Sequence, residues 1–412
     1  VGPPHRDGKP PGGDEPRRCL LVANVFPPIN GGSASVYDSL ARFGQGRVSV
    51  LAPSADYMTG RELDGWRQFD AAAPFRVHRL KYLRTRMLPK LRPQDRVILA
   101  VQDVVLRVLM VQAIARIARA ENIRTVCIGE LVAGGWLVRI CRRLLGLRTL
   151  VYVHGEEVNI IDSYDFSRSR RRTTLAQADA VVAVSRFTRD ALISLMGVDP
   201  AKIMLIPNGV DLARFTPRPR RDDLLRRYDL AGRPVLLTVG RLSERKGQDK
   251  VIEALPALRE AIPGLAYLLV GEGPSRPLLQ AKANALGVAE NVVFTGTVAH
   301  DELVDHYALA DVFIMANREL PSGETEGFGL VFLEANACGV PVIAGCAGGS
   351  VDAVTDGVNG LLVDGEDVGA IVAGVRSIFH DAALRAKLVE QGLEIAAQAG
   401  WEGRVQSFLE LC

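Results

Sequence analysis

Residues 323–345 read GETEGFGLVFLEANACGVPVIAG. A loop broken by Gly323, Gly327 and Gly329 leads into an apolar segment, Leu330 Val331 Phe332 Leu333 followed by Ala335, Ala337 and Cys338. Gly339 and Pro341 then return the chain to a short β-branched run, PVIAG. Loop, helix and strand in that order are part of a parallel βαβ unit. Glu334 is an isolated acid in a segment that reads as buried. An unpaired buried carboxylate is costly, so it requires a hydroxyl or cation partner, and a ligand's ribose diol would serve. Glu326, with seven residues between it and Glu334, sits ahead of the helix. There it could accept hydrogen bonds from sugar hydroxyls. The amides of Phe328, Gly329 and Leu330 lie at the helix start, where free N–H groups suit phosphate.

The same alternation runs outward along nearly the whole chain. Short β-branched runs that end in glycine, proline or polar turn residues predict strands at 19–26, 47–52, 76–82, 125–130, 149–154, 180–185 and 203–206. A second set follows at 234–240, 266–273, 292–298, 312–317, 341–345 and 360–364. Helical periods fall between them, notably at 33–43, 97–120 and 133–145. The fold class is therefore α/β, with two Rossmann-like, doubly wound parallel-sheet domains and a cleft between their strand carboxyl ends, where such sheets bind ligands. The organisation predicted is a leader at 1–18, an N-terminal domain at 19–206, a proline- and charge-rich surface connection at 207–233, and a C-terminal domain at 234–395. A final amphipathic segment at 396–412 carries apolar residues at 401, 405, 408 and 409.

Four further clusters fall at predicted strand ends. In FPPINGGS, Gly31 and Gly32 precede a helix, as a tight turn or a close approach to phosphate would require. VYVHGEE places His154 at a strand terminus, as a structural hydrogen-bonder or a site residue. VGRLSERKG runs from a strand through Gly240, Arg241, Arg245 and Lys246 into a helix near Gln248. Those cations lie at the positive end of the helix dipole, which is unfavourable unless an anion such as a diphosphate offsets them. VGEGP, residues 270–274, is compatible with a ligand or with a turn alone.

Composition sets the outer bounds. The 412 residues are 48% hydrophobic and 24% charged, enough for two cores, which excludes extended disorder, collagen-like repeats and disulfide-stapled scaffolds. The six cysteines, at 19, 127, 141, 338, 346 and 412, show no zinc spacing and read as reduced core thiols. Residues 1–18 lack the apolar stretch of a signal peptide. The stretch 97–120 is interrupted by Gln102, Asp103, Arg107, Gln112 and Arg116, so no transmembrane segment is expected. Residues 1–205 carry 31 bases against 19 acids, a net +12, and residues 206–412 carry 19 bases against 28 acids, a net −9. The segment 76–96, with eight bases, one acid and interleaved Leu80, Tyr82, Leu83, Met87 and Leu88, could lie on an anionic membrane or grip an anionic acceptor. It could equally be a solvated face. Arg168, Arg170, Arg171 and Arg172 form a second basic cluster.

The order GG loop, HG, GRLSERKG, GEG and two glutamates spanning GFGLVFL resembles the retaining GT-B glycosyltransferases of family 4, from residue 19 to the end. The resemblance implies a C-terminal domain that holds a nucleotide-sugar donor, and a final helix that crosses back to the acceptor-binding N-terminal domain. It implies Arg241 and Lys246 on the diphosphate, Glu334 on the ribose, Glu326 on the hydroxyls of the transferred sugar, and Gly32 approaching the diphosphate. His154 would sit beside the donor sugar, and Thr297 and Val298 would meet the base through their backbone. The stretch NRELPSGETEGFG resembles mannosyltransferases acting on phosphatidylinositol mannosides, which makes GDP-mannose the expected donor. Lipid, oligosaccharide and small-molecule acceptors stay open. No nucleic acid is expected as partner, and the expected location is the cytoplasm or the inner membrane face.

No D-x-D triplet occurs, so no cofactor and no metal is expected. Arg241, Lys246 and helix-terminal amides would offset the leaving-group charge. Transfer is expected to retain the anomeric configuration, with the acceptor attacking from the face that the diphosphate leaves. His154, Glu326, Arg241 and Lys246 form the expected catalytic set. The alternatives are a nucleotide-sugar epimerase of the same architecture, a UDP-sugar-dependent transferase, and a non-catalytic membrane-surface module.

Overall fold

The computed structural model describes residues 17–85, 93–160, 165 and 167–412. Most of the leader, and Arg86, Met87, Leu88, Lys90 and Arg92 of the basic segment, lie outside the described residues. Among the described residues, thirteen strands form two parallel sheets. The N-terminal sheet contains β1 (Cys19–Val22), β2 (Val48–Pro53), β3 (Val77–Leu80), β4 (Thr125–Ile128), β5 (Arg148–Val153), β6 (Ala180–Ala183) and β7 (Ile203–Leu205), in the order β3-β2-β1-β4-β5-β6-β7. The second contains β8 (Val235–Val239), β9 (Ala266–Val270), β10 (Val292–Gly296), β11 (Val312–Met315), β12 (Val342–Gly345) and β13 (Leu361–Val363), in the order β10-β9-β8-β11-β12-β13. Each order reverses once, at β1/β4 and at β8/β11, so each sheet has one topological switch point.

Every predicted run forms a strand, but the pairing stops earlier than the apolar pattern does. The run 19–26 pairs only over Cys19–Val22, because the chain then leaves the sheet toward the Gly31–Gly32 turn. The helix read at 33–43 spans Gly32–Arg42, and the one read at 133–145 divides at Gly135 into Leu131–Gly134 and Trp136–Leu144. The charges within 97–120 do not interrupt the helix, which runs Pro93–Ala120 and begins on proline, where no intrahelical donor is lost. By length and composition alone its 97–120 portion could cross a membrane. Its later half instead packs on the N-terminal sheet through Met110, Ile114 and Ile117.

The connection at 207–233 is less free than its composition suggests. Phe215, Leu224 and Leu230 are buried, and Arg220 and Arg221 pair with Asp311 at 2.7 Å and Asp305 at 2.9 Å. One buried apolar cluster runs from Leu21, Tyr37 and Tyr152 through Phe215 and Phe408 to Phe313 and Phe332. Val210 donates to Ala399 O at 2.9 Å, and Thr125 of β4 donates to the carbonyl of Cys412 at 3.1 Å, so the final helix, Trp401–Glu410, is tied to the first half of the chain. Five cysteines are buried free thiols, while Cys346 is exposed, contrary to its reading as a core residue. Arg171 is likewise no solvated base. It is buried, pairs with Asp165 at 3.1 Å and donates to the carbonyls of Glu157 and Ile160.

Candidate active site between the two sheets

The strand-end turns picked out in the sequence meet across the cleft. Gly155, just after β5, packs so closely on the C-terminal loop that an added Cβ would lie 3.2 Å from Gly327 Cα. A Cβ on Gly327 would collide with the His154 carbonyl, so both positions need glycine for close backbone approach. Gly32, the first residue of the Gly32–Arg42 helix, faces Leu330, the first residue of Leu330–Ala337, with a built Cβ 3.9 Å from Leu330 Cδ1. Two helix starts thus oppose each other. Neither Gly31 nor Gly329 supplies a capping side chain, so their first-turn amides are uncapped by side chains.

β8 leads through Gly240 into the Glu244–Lys246 turn, which carries Arg245 and Lys246 onto Glu326. Lys246 Nζ donates to Glu326 Oε2, and Arg245 Nη1 reaches the same oxygen at 3.3 Å and the carbonyl of Thr325 at 3.1 Å. Burial pushes the Glu326 carboxyl up, but the two cations outweigh it and hold it below the usual range. Arg245 also spans the cleft, with Nη2 3.5 Å from Glu156 Oε2. Arg241 is exposed and has no side-chain partner among the described residues. The loop beneath Glu326 is held by Gly349, whose N–H donates to the Glu326 carbonyl at 2.7 Å, and a Cβ there would strike Gly327 O.

Glu334 has the kind of partner that its isolation demanded. Tyr307 Oη donates to Glu334 Oε2 at 2.7 Å, and burial still pushes that carboxyl up. Arg214 from the connecting segment lies close enough to oppose the shift, and its own guanidinium is desolvated, with Nη2 buried and unpartnered. Its Nη1 meets His300 Nε2 two residues beyond Val298. Thr297 and Val298 follow β10 directly, and it is His300, beyond them, that the structure brings to Arg214. The GEG turn has a simpler role: a Cβ on Gly271 or Gly273 would strike the backbone of Gly240 or Leu242, so these glycines let two strand-end loops stack.

His154 is held by Tyr37 of the Gly32–Arg42 helix, with Nε2 2.7 Å from the phenol oxygen. Burial lowers its pKa to about 4. Its main-chain N–H donates to Glu157 Oε1 at 2.8 Å, and burial raises the Glu157 carboxyl to about 7. The structure thus gathers Gly32, His154, Lys246, Glu326, Gly329 and Leu330 around one cleft. Tyr37, Arg214, Arg245 and Tyr307 belong to the same surroundings. Of these, only Arg245 had a local signal, as a third base in the SERKG turn.

The first half of the Pro93–Ala120 helix shows an unusual surface: Val97, Ile98, Val101, Val104, Val105, Val108 and Leu109 are 48% to 66% exposed. It borders a groove of about 1180 Å³ lined by Val108, Leu131, Val132, Trp136, Ile140 and Leu144, with Arg107, Arg139, Arg143 and Arg170 among its walls.

Two Rossmann-like sheets with their switch points turned to a common cleft, and cations paired to a carboxylate at its floor, define a GT-B glycosyltransferase. The family model described as "Glycosyl transferases group 1" matches residues 221–394, and "Glycosyltransferase Family 4" matches residues 30–214. The chain is 37% identical over 369 residues to a GDP-mannose-dependent alpha-(1-6)-phosphatidylinositol monomannoside mannosyltransferase of Mycolicibacterium smegmatis, covering 88% of this chain and 89% of that protein. A protein of the same description from Mycobacterium tuberculosis is 36% identical, covering 93% and 95%. The fold matches Anabaena Alr3699/HepE in complex with UDP and glucose, at TM-score 0.73 and 22% identity over 96% of this chain and 98% of that one. Sucrose-phosphate synthase from Thermosynechococcus elongatus matches at TM-score 0.74 and 22% identity, covering 96% and 98%. This chain belongs to the family 4 glycosyltransferases and is a glycosyltransferase, which sets aside the epimerase and the non-catalytic module.

Proposed function

We propose that this enzyme transfers mannose from GDP-mannose, with retention and without a metal, to a hydroxyl of a lipid-borne acceptor at an anionic membrane surface. The observation that carries the reading is the Lys246–Glu326–Arg245 cluster facing His154 across the cleft. With Arg241 it places three cations against the Glu326 and Glu156 carboxylates at the positive end of the Gln248–Ala261 helix, a surplus of one, Arg241, unpartnered among the described residues, that a diphosphate would balance. Glu326 is ionised and hydrogen-bonded, suited to accept from sugar hydroxyls while Lys246 turns to the leaving phosphate. Glu334 keeps its second oxygen for a ribose hydroxyl. Thr297 and Val298 would present their backbone to the base.

Retention follows from attack on the face that the diphosphate leaves, with the departing phosphate oxygen taking the acceptor proton. His154 is unsuited to that task, because burial keeps its basicity low. Its part is to orient the donor sugar. The preference for mannose and for a lipid rests on the two mycobacterial relatives, and the exposed apolar helix with its arginine-walled groove supports docking on an anionic leaflet.

The test is NMR of the purified protein with GDP- and UDP-sugars and no acceptor. Slow release of α-mannose from GDP-mannose alone is the expected result. Release of a β-sugar overturns retention, and preferential turnover of a UDP-sugar overturns the donor. Activity that depends on added divalent metal and is lost in chelator overturns metal independence.

A further inference from the structure

Arg318, three residues beyond β11, is a buried cation among three acids. Its Nη1 and Nη2 donate to the two carboxylate oxygens of Asp249 at 2.8 and 3.0 Å, and its Nε lies 2.9 Å from Glu366 Oε1. Nη2 also lies 3.7 Å from Glu244 Oε1. The main-chain N–H of Arg318 donates to the Arg245 carbonyl at 2.9 Å. Burial works against the charge, but the Asp249 carboxylate outweighs it and raises the guanidinium above its ordinary pKa.

These contacts enclose one short stretch of chain. Glu244 opens the Glu244–Lys246 turn, and Asp249 is the second residue of the Gln248–Ala261 helix that follows it. Both acids go to Arg318, while the two cations between them, Arg245 and Lys246, go to Glu326. The bed of the turn is backbone. Gly247 has a φ of +72°, and a Cβ there would collide with the Ala316 carbonyl; a Cβ on Gly365, next to Glu366, would strike the carbonyls of Ala316 and Asn317. Such a turn needs outside support, because two adjacent cations converge on one carboxylate oxygen at the positive end of a helix, where they repel each other and the dipole. Apolar replacement of a buried ion cluster is often neutral for stability, so stability alone is a poor reason for this one.

We propose that Arg318 is a positioning residue: it clamps Glu244 and Asp249 so that Arg245 and Lys246 stand in place before the donor arrives. This rests on the glycosyltransferase reading above, in which that turn meets the donor diphosphate; Arg318 acts only through the turn. A guanidinium suits the task, since its planar fork gives two donors to Asp249 and a third to Glu366, which an ammonium cannot reproduce. A turn held in advance loses little freedom on binding, and charge stabilisation is strongest from groups that need not reorganise.

The test compares wild type with Arg318→Lys, which keeps the charge and loses the fork, and with Asp249→Asn, which keeps an acceptor and loses the charge. Calorimetry with GDP and with guanosine separates the diphosphate from the nucleoside. Amide hydrogen exchange over residues 243–249 reads the turn without any ligand. Arg318→Lys is expected to weaken GDP about tenfold or more, the scale of misplacing a binding group by about an ångström, with guanosine within about twofold. Exchange in the turn is expected to quicken in the same variant. Asp249→Asn should fall between, and the double variant should lose no more than Arg318→Lys alone, because the two side chains act as one unit. A parallel loss of GDP and guanosine affinity means general loosening and overturns the positioning role, as does GDP affinity within about twofold of wild type in both variants. If Arg318→Lys does not fold, the partly exposed Asp249 decides by the same comparison. Wild type that binds GDP no tighter than guanosine counts against the diphosphate reading; exchange then decides the clamp, which stands if Arg318→Lys quickens the turn and falls if it does not.

Discussion

Tyr37 and His154 share a hydrogen bond whose direction is fixed by a third group. The phenol gives its single hydrogen to the carbonyl of Gly129, so at 2.7 Å from His154 Nε2 it can only accept. The imidazole therefore carries its hydrogen on Nε2 and presents the Nδ1 lone pair. The helix that starts at Gly32 thereby sets the tautomer of a residue on β5's terminus, and the Gly31–Gly32 turn and His154 become one mechanical unit. Tyr37→Phe keeps the ring packing against Tyr152 and removes only the phenol oxygen. We expect kcat to fall about tenfold with the donor KM nearly unchanged. Histidine 15N shifts in the variant are expected to move from a pure Nε2–H pattern to a mixed one; an unchanged pattern would sink the assignment.

Glu157 makes the enzyme's stability depend on pH in an uncommon direction. Burial holds its folded carboxyl near pKa about 7, above the unfolded range. The folded state therefore binds more protons between the unfolded carboxylate pKa and about 7, and stability is present below that window and lost as pH rises through it. Glu157→Gln keeps an acceptor for the His154 N–H and cannot ionise. It is expected to melt above wild type at pH 8, with the difference shrinking toward pH 5, as scanning calorimetry would record.

What the sequence disclosed and what it withheld divide along the chain's locality. Strand ends, glycine turns and the helix of Leu330–Ala337 are set by contiguous residues, so their patterns are legible. The demand of Glu334 for a polar partner was legible as well, because a lone acid among Leu333, Ala335 and Ala337 has few other solutions. The identity of that partner, Tyr307, depends on how a helix 27 residues earlier packs, which no local pattern records. Tyr37, Arg214 and the Arg245–Glu156 bridge are hidden for the same reason. Arg171 misled because an arginine-rich run bears no mark of which member folds inward, and here Asp165 selects it.

Lys246→Ala leaves Glu326 with Arg245 as its remaining cation. The carboxyl loses the partner that contributes most to its depression, so its pKa should rise, and the proposed diphosphate site loses a cation. The expected result is a fall of about 10²–10³ in kcat/KM, the scale of removing one preorganised electrostatic contact. Lys246→Arg should recover part of it, since charge but not point geometry is restored. A loss under threefold for the alanine variant would take Lys246 out of the reacting centre.

The exposed valines of the Pro93–Ala120 helix make the membrane reading testable without touching the cleft. Val101 and Val105 are 59% and 52% exposed, so replacing both with glutamate disturbs little packing and places two negative charges where an anionic leaflet would lie. Binding of wild type to vesicles containing anionic lipid should weaken with salt, because arginines beside the groove supply the long-range attraction and the apolar face supplies the short-range part. The double variant should sediment with vesicles at least about tenfold less well, at unchanged GDP affinity and melting temperature. Each buried methylene contributes about 0.8 kcal/mol, so two valine side chains and two repelled charges exceed that threshold comfortably. Equal sedimentation of both proteins would mean that this face meets something other than a membrane, and the proposed lipid acceptor would then have to reach the cleft as a dispersed molecule.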